Sequence, residues 1–184
     1  MRRHVVLIAA LLFVSSSLFA QSAGAMHKRL TAESTRLAVW ASDKILVDAV
    51  KAQNAKAVAL ADIQKIDEEW RAGKVRGELM KNACADRLRQ LANGRSYYVE
   101  MFVMDNQGAL VCANEPTSDY WQGDEAKWMR AFNEGKGSVF IDRPRYDESA
   151  KANLGQISLP VKDGATVVGV ITVGVITDRL PKAP

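Results

Sequence analysis

The sequence predicts an α+β domain in which helices come first and an antiparallel sheet follows. Two observations carry this. From His27 to about Ala92 apolar residues recur at helical spacing. From Tyr97 to Thr177, β-branched and aromatic runs alternate with turn-forming clusters such as Asp105-Asn106-Gln107-Gly108 and Lys162-Asp163-Gly164. A block of helices followed by a block of strands is the pattern of an α+β domain rather than of a wound parallel sheet.

The elements follow in order. Arg2, Arg3 and His4 precede an uncharged, mostly apolar run from Val5 to about Ala20, and small residues follow, as in a secretory leader. Cleavage fits after Ala20 or after Ala25, and the run falls short of the about 20 apolar residues that span a bilayer. The expected organisation is therefore a signal peptide over 1–25 and one domain over 26–184. Its helical part covers about 26–93 and its sheet part about 94–177.

His27 to Gln53 reads as one long helix without Pro or Gly, with Leu30, Leu37, Trp40, Ala41 and Ile45 near helical spacing. A second helix is expected over 55–71, carrying Leu60, Ile63, Ile66 and Trp70 on one side. A third runs over 77–92 and stops at Asn93-Gly94. Tyr97–Met104 and Ala109–Ala113 form a hairpin. A polar segment, Glu115–Gly123, leads into a short helix over 124–133 with Trp128 and Phe132 one turn apart. Strands over 138–142, 156–161 and 166–176 complete five antiparallel strands.

Charge and motifs exclude several classes. The chain holds 25 Lys+Arg against 21 Asp+Glu. Removing the leader takes away two arginines and no acid, so the rest lies closer to neutral. The charges alternate in sign with no dense basic stripe, which argues against nucleic acid as a partner. The two histidines are His4, in the leader, and His27, so imidazole acid–base catalysis has almost no candidate. No CxxC, HExxH or Cys/His cluster suggests a metal, and no glycine loop suggests a phosphate-bearing cofactor. Cys84 and Cys112 are the whole cysteine count. In an exported chain they form either one disulfide or two buried thiols, depending on whether their Cα atoms come within about 7 Å.

The stretches LADIQKIDEEWRAG (60–73), TSDYWQGDEAKW (117–128), the Tyr146-Asp147 pair and PVKDGATVVGVITVGV (160–175), behind a long N-terminal helix, resemble a Cache domain, the extracellular PAS-like sensor type. The resemblance covers about 26–177. It implies a PAS-like sheet, a small extracytoplasmic ligand, a periplasmic location and signalling through a membrane-bound partner. The amino-acid-binding Cache group has an arginine two residues before a tryptophan and an aromatic just after it. Trp128 matches that tryptophan, but Ala126 and Met129 stand at the other two positions, which counts against free amino acids. Tyr146 matches the group's later tyrosine.

The residues themselves support binding over catalysis. Tyr120, Trp121, Trp128, Arg143, Arg145, Tyr146 and Asp147 are the candidate ligand-binding residues. Aromatic side chains provide rigid walls with polar edges, and arginine grips a carboxylate through two parallel hydrogen bonds. The expected ligand is thus a small organic acid held by Arg143 or Arg145, with no cofactor, no metal and no catalytic residue. Two other readings stand beside this one. One is a ligand-free adaptor that regulates a membrane kinase or cyclase by surface contact. The other, weaker, is a hydrolase using Asp119 or Asp147. A homodimer through the N-terminal helix is the expected self-association.

Overall fold

The computed structural model describes residues 24–74, 77–148 and 151–181. The expected leader lies outside the described residues except for Gly24 and Ala25, which belong to the first helix. Among the described residues no helix is long and apolar enough to cross a membrane.

The fold is α+β. Helix α1 covers 24–37 and lays Leu30, Glu33, Ser34 and Leu37 against the sheet. That spacing is one face of a helix. The expected single helix from His27 to Gln53 is in fact two. A 3-10 turn, Trp40–Ser42, follows α1, and Asp43 then adopts extended backbone and caps α2, Lys44–Asn54. The Asp43 carboxylate accepts from Ile45 N at 3.1 Å and from Arg87 Nη2 at 2.7 Å. This local cap competes with helix continuation, and the turn buries Trp40 edge-on against Tyr98 at 5.1 Å.

Helix α3 is Leu60–Arg71 and starts later than expected. Asn54 ends α2 because its side chain serves the sheet. It donates to Val168 O at 2.8 Å and accepts from Asn106 N at 3.1 Å. Helix α4, Ala83–Ala92, is likewise shorter than expected because Asn82 caps it, accepting from Ala85 N at 2.9 Å. Helix α5 is Ala126–Phe132.

Among the described residues the sheet has six strands rather than five: β1 Tyr98–Met104, β2 Leu110–Ala113, β3 Phe140–Ile141, β4 Arg145–Asp147, β5 Ala152–Asp163 and β6 Thr166–Ile176. All pairings are antiparallel in the order β2-β1-β6-β5-β3, with β4 also pairing β5. The additional strand is β4, which pairs with the early part of a β5 that begins four residues before its expected start.

Both faces of the sheet are covered. On one, α1, α2 and α4 bring Leu30, Leu37, Leu46, Val50 and Leu88 onto Val103, Ile157, Leu159, Ile171 and Val173. On the other, α3, α5 and the segment after β2 bring Ile63, Trp70, Tyr120 and Ala131 onto Phe102, Met104 and Val170. Burial of this apolar surface is the main driving force of the fold. A disulfide joins Cys84 of α4 to Cys112 of β2, with Cα atoms 5.8 Å apart.

Two buried polar pairs punctuate these cores. Tyr98 donates its hydroxyl to Glu33 of α1, which also meets Arg36 at 2.8 Å. Ser158 and Thr172 bond across β5 and β6 at 2.8 Å. A buried polar group is tolerated when its hydrogen bonds are made.

Candidate functional site

The site is built on the second face, where the segment after β2 folds back over the sheet. Asp67 of α3, 2% exposed, holds that segment in place. One of its oxygens accepts from Tyr120 N at 2.8 Å and Trp121 N at 3.0 Å, and the other pairs with Arg71. Arg71 also reaches Asp119 at 3.1 Å. Trp70 donates its indole N–H to Thr117 O at 2.9 Å. Held in this way, the segment pairs with the free edge of β2: Leu110 N donates to Tyr120 O at 3.0 Å and Gln122 N to Gly108 O at 2.9 Å.

The two indoles that follow are fixed by the β1–β2 turn. Trp121 Nε1 donates to Gln107 O at 2.8 Å, and Trp128 Nε1 to Asp105 O at 3.0 Å. Trp128 also stacks on Phe132 with centroids 4.9 Å apart. Gly108, at φ +87°, closes the turn where a Cβ would run into Gly123. The buried Asp105 carboxylate braces the turn, accepting from Gln107 N at 2.8 Å and Ala109 N at 2.9 Å. Burial raises its pKa, and these backbone donors oppose the rise.

A bulge in β1 supplies the site's most unusual group. Val99 pairs with Gly174 and Phe102 with Thr172, so β1 carries one extra residue there. Glu100 takes up the excess at φ +47°, in the left-handed region. Asn114 clamps the bulge from β2. Its Oδ1 accepts from Met101 N at 2.5 Å, and its own N–H donates to Met101 O at 2.9 Å. A bulge re-aims side chains, and here Glu100 faces the cavity beside Gln156.

That cavity measures about 260 Å³, at the small end for a metabolite pocket. Glu100 and Phe102 of β1, Gln156 of β5 and Asp147 of β4 line it from the sheet. Glu115 to Ser118, Gln122 and Lys127 close it from the covering segment. Burial pushes the Glu100 carboxyl above the usual carboxylate range, with a further rise from the Asp147 charge; a hydrogen bond from Gln156 and the Lys127 ammonium oppose it. Lys127 pairs with Glu125 at 3.0 Å and sits 5.3 Å from the centre of the Phe102 ring. Gln122 is 1% exposed. Its Nε2 donates to Asp119 O at 2.8 Å, which fixes the amide orientation, while its buried Oε1 has no hydrogen-bond partner.

The seven residues expected from the sequence divide into two groups. Tyr120, Trp121 and Trp128 pack over the sheet and bond to backbone, as supports of the covering segment. Arg143, Arg145, Tyr146 and Asp147 come together on a neighbouring cleft of about 260 Å³ that shares Gln156 and Asp147 with the first. Asp147 is thus the one of the seven that lines the pocket containing Gln122. Arg145 is 76% exposed and pairs with Asp142 at 3.2 Å, and Tyr146 is 58% exposed.

No protein-family model matches the chain, and no curated protein matches its sequence. Among solved structures, the sensor domain of the Vibrio cholerae histidine kinase DctB is similar over 94% of this chain and 58% of its own, at 14% identity and a TM-score of 0.43. The ligand-binding domain of the Campylobacter jejuni chemoreceptor Tlp3, in complex with L-valine, is similar over 85% and 64%, at 11% identity and 0.42. That of the Pseudomonas aeruginosa amino acid chemoreceptor PctC, in complex with GABA, is similar over 63% and 52%, at 13% identity and 0.40. The chain therefore spans between about half and two thirds of the length of these domains.

Sequence reasoning missed Glu100, Gln122, Lys127 and Gln156. Glu100 left a signal, since it is the lone charge in the strand run Tyr97–Met104. Gly174 left another, as a glycine inside a β-branched strand marks a bulge or a close backbone approach.

Proposed function

We propose that this chain is a Cache-type sensing domain that binds a small metabolite in the pocket between the β1 bulge and the segment 115–122. The observation that carries this reading is the cavity itself, a polar space of about 260 Å³ lined by Glu100, Gln156, Asp147 and Lys127 beneath the covering segment. The sequence motifs that resemble Cache domains and the antiparallel sheet with its overlying aromatic segment agree with this reading. Export to the periplasm and signalling through a membrane-bound protein complete the proposal. The natural contact for such a partner is a surface other than the apolar stripe of α1, because that stripe is buried on the chain's own sheet. Homodimerisation through α1 would have to use its polar face.

Ligand binding transmits a signal only where it favours one of two conformations. The covering segment is the element positioned to respond, since it carries Gln122 and is tied to α3 through Asp67. A thermal-shift screen against a broad metabolite library tests the proposal, as a ligand of the native state raises the melting temperature. A hit that is lost in Gln122→Leu supports it. A screen with no hit favours the ligand-free adaptor instead.

A further inference from the structure

We propose that the mature N-terminus is a binding site for a divalent copper ion, formed by the amine of Met26, the amide nitrogen of His27 and the His27 imidazole. The site is separate from the pocket and does not rest on it. Of the two points at which the leader can be removed, the later one follows Ala23-Gly24-Ala25, small residues at the positions that mark a cleavage site. Removal there leaves a chain that opens Met26-His27-Lys28. A histidine in second place sets three nitrogens along one short run of covalent bonds. The amine and the next amide nitrogen close a five-membered ring around a metal. The amide nitrogen and the imidazole Nδ1 close a six-membered one. Nitrogens held in one plane suit Cu(II) best and Ni(II) next, and they suit Zn(II), which prefers a tetrahedron, poorly.

The fold supplies the conformation that this chelate needs. Met26 and His27 both lie in α1. Helical backbone holds ψ at about −42°, which sets successive nitrogens on the same side of the Cα–C bond, whereas extended backbone points them apart. The His27 amide is free to bind, because its helical acceptor is the carbonyl four residues back, Ala23, which departs with the leader. The His27 carbonyl is engaged separately, accepting from Thr31 Oγ1 at 2.9 Å. Met26 packs against the core beneath α1 and so anchors the first residue. His27 is exposed, and its imidazole makes no hydrogen bond or ion pair among the described residues. Both residues line an open cleft of about 940 Å³ together with Asn153, Thr177 and Asp178. That space admits the ion and leaves its fourth position to water or a carboxylate. Among the described residues no three Asp, Glu, His or Cys side chains gather to hold a metal; this site instead draws two of its three donors from the backbone. On binding, the ammonium and the amide N–H each release a proton to solvent, so affinity falls as the pH is lowered.

The test is titration of the exported protein, purified from the periplasm, with Cu(II) chloride. Intact mass first identifies the opening residue, and visible circular dichroism then reads the copper–amide chelate, which is chiral. The expected result is a chain that begins at Met26 and binds one Cu(II) with a dichroic band, more weakly in mild acid than at neutral pH. Ni(II) should bind more weakly than Cu(II), and excess Zn(II) should leave the copper band in place. The band should be lost in His27→Ala, a change at an exposed position, with the melting temperature of the metal-free protein unchanged. It should also be lost in a chain beginning at Gln21, which keeps the same histidine but places the amine out of its reach. An opening residue other than Met26 overturns the proposal. So does a chain that begins at Met26 and shows no band, or a band that persists in either altered protein.

Discussion

Glu100 and Gln156 line the pocket from either side of Gly174, the central-strand residue that pairs with Gln156 on one side and with Val99, next to Glu100, on the other. A Cβ at position 174 would come within 2.8 Å of Val99 O and 3.3 Å of Glu100 Cβ. The bulge, the carboxylate and the glycine therefore form one unit. Gly174→Ala is expected to destabilise the fold by about 1–3 kcal/mol, the usual range for overpacking a tight site. Urea denaturation measures this. A midpoint equal to that of the native protein would mean that the strands separate at no cost.

Asp67 is the second such point. Asp67→Ala leaves Tyr120 N and Trp121 N without their acceptor and deprives Arg71 of a buried partner. The expected loss is roughly 1–3 kcal/mol for each buried N–H left without its acceptor, since the exposed Arg71 is resolvated by water. Asp67→Asn keeps one acceptor and should cost less. Urea denaturation of both variants, with near-ultraviolet circular dichroism of the tryptophans, checks the size and the order of the two effects.

The Cys84–Cys112 bond closes a loop with a sequence separation of 28. Loop-closure entropy puts its contribution near 3–4 kcal/mol. Cys84→Ser with Cys112→Ser should lower the denaturation midpoint accordingly. Reducing the native protein should have the same effect, and adding reductant to the double variant should have none.

Glu100 gives a pH signature. Its folded pKa is raised by burial and by Asp147 and Glu115, against the pull of Gln156 and Lys127. A carboxyl with a raised folded pKa binds its proton more tightly in the native state. Its favourable contribution is complete below the ordinary glutamate value and disappears as pH rises through the raised one. Glu100→Gln should therefore be more stable than the native protein at neutral pH, with the gap closing as the pH falls through the raised value to the ordinary glutamate value. Denaturation midpoints of both proteins across that range are the measurement; a gap independent of pH would contradict the assignment.

The class of the fold was legible because helical and strand periodicities occupy separate parts of the chain. Both faces of Tyr97–Met104 and Thr166–Ile176 read as apolar, and both faces turn out to be covered by helices. The helix ends were less legible. Asp43 and Asn82 cap their helices through Ile45 N and Ala85 N, but these side chains and that of Asn54 are also held by Arg87, Val111 and Val168, partners more than 25 residues away. The pocket was legible only in part. Asp147 was visible as one half of a Tyr-Asp pair, whereas Glu100, on the same strand face as Phe102, sits at a bulge whose place the strand's alternation does not reveal. The tryptophans drew attention as ligand walls, but their indole N–H groups are committed to a turn, a pairing between segments that spacing along the chain does not encode.

The pairing of the segment 120–122 with β2 has a further meaning. An open strand edge invites another chain to add to it, and proteins commonly cover such edges. Here the cover is the same segment that carries Gln122 to the pocket, and it is pinned from beneath by Asp67. The proposed ligand site and the protection of this edge from fibrillar self-assembly therefore share one fastening. A variant that loosens it would show itself first as turbidity in a concentrated sample, before any loss of secondary structure.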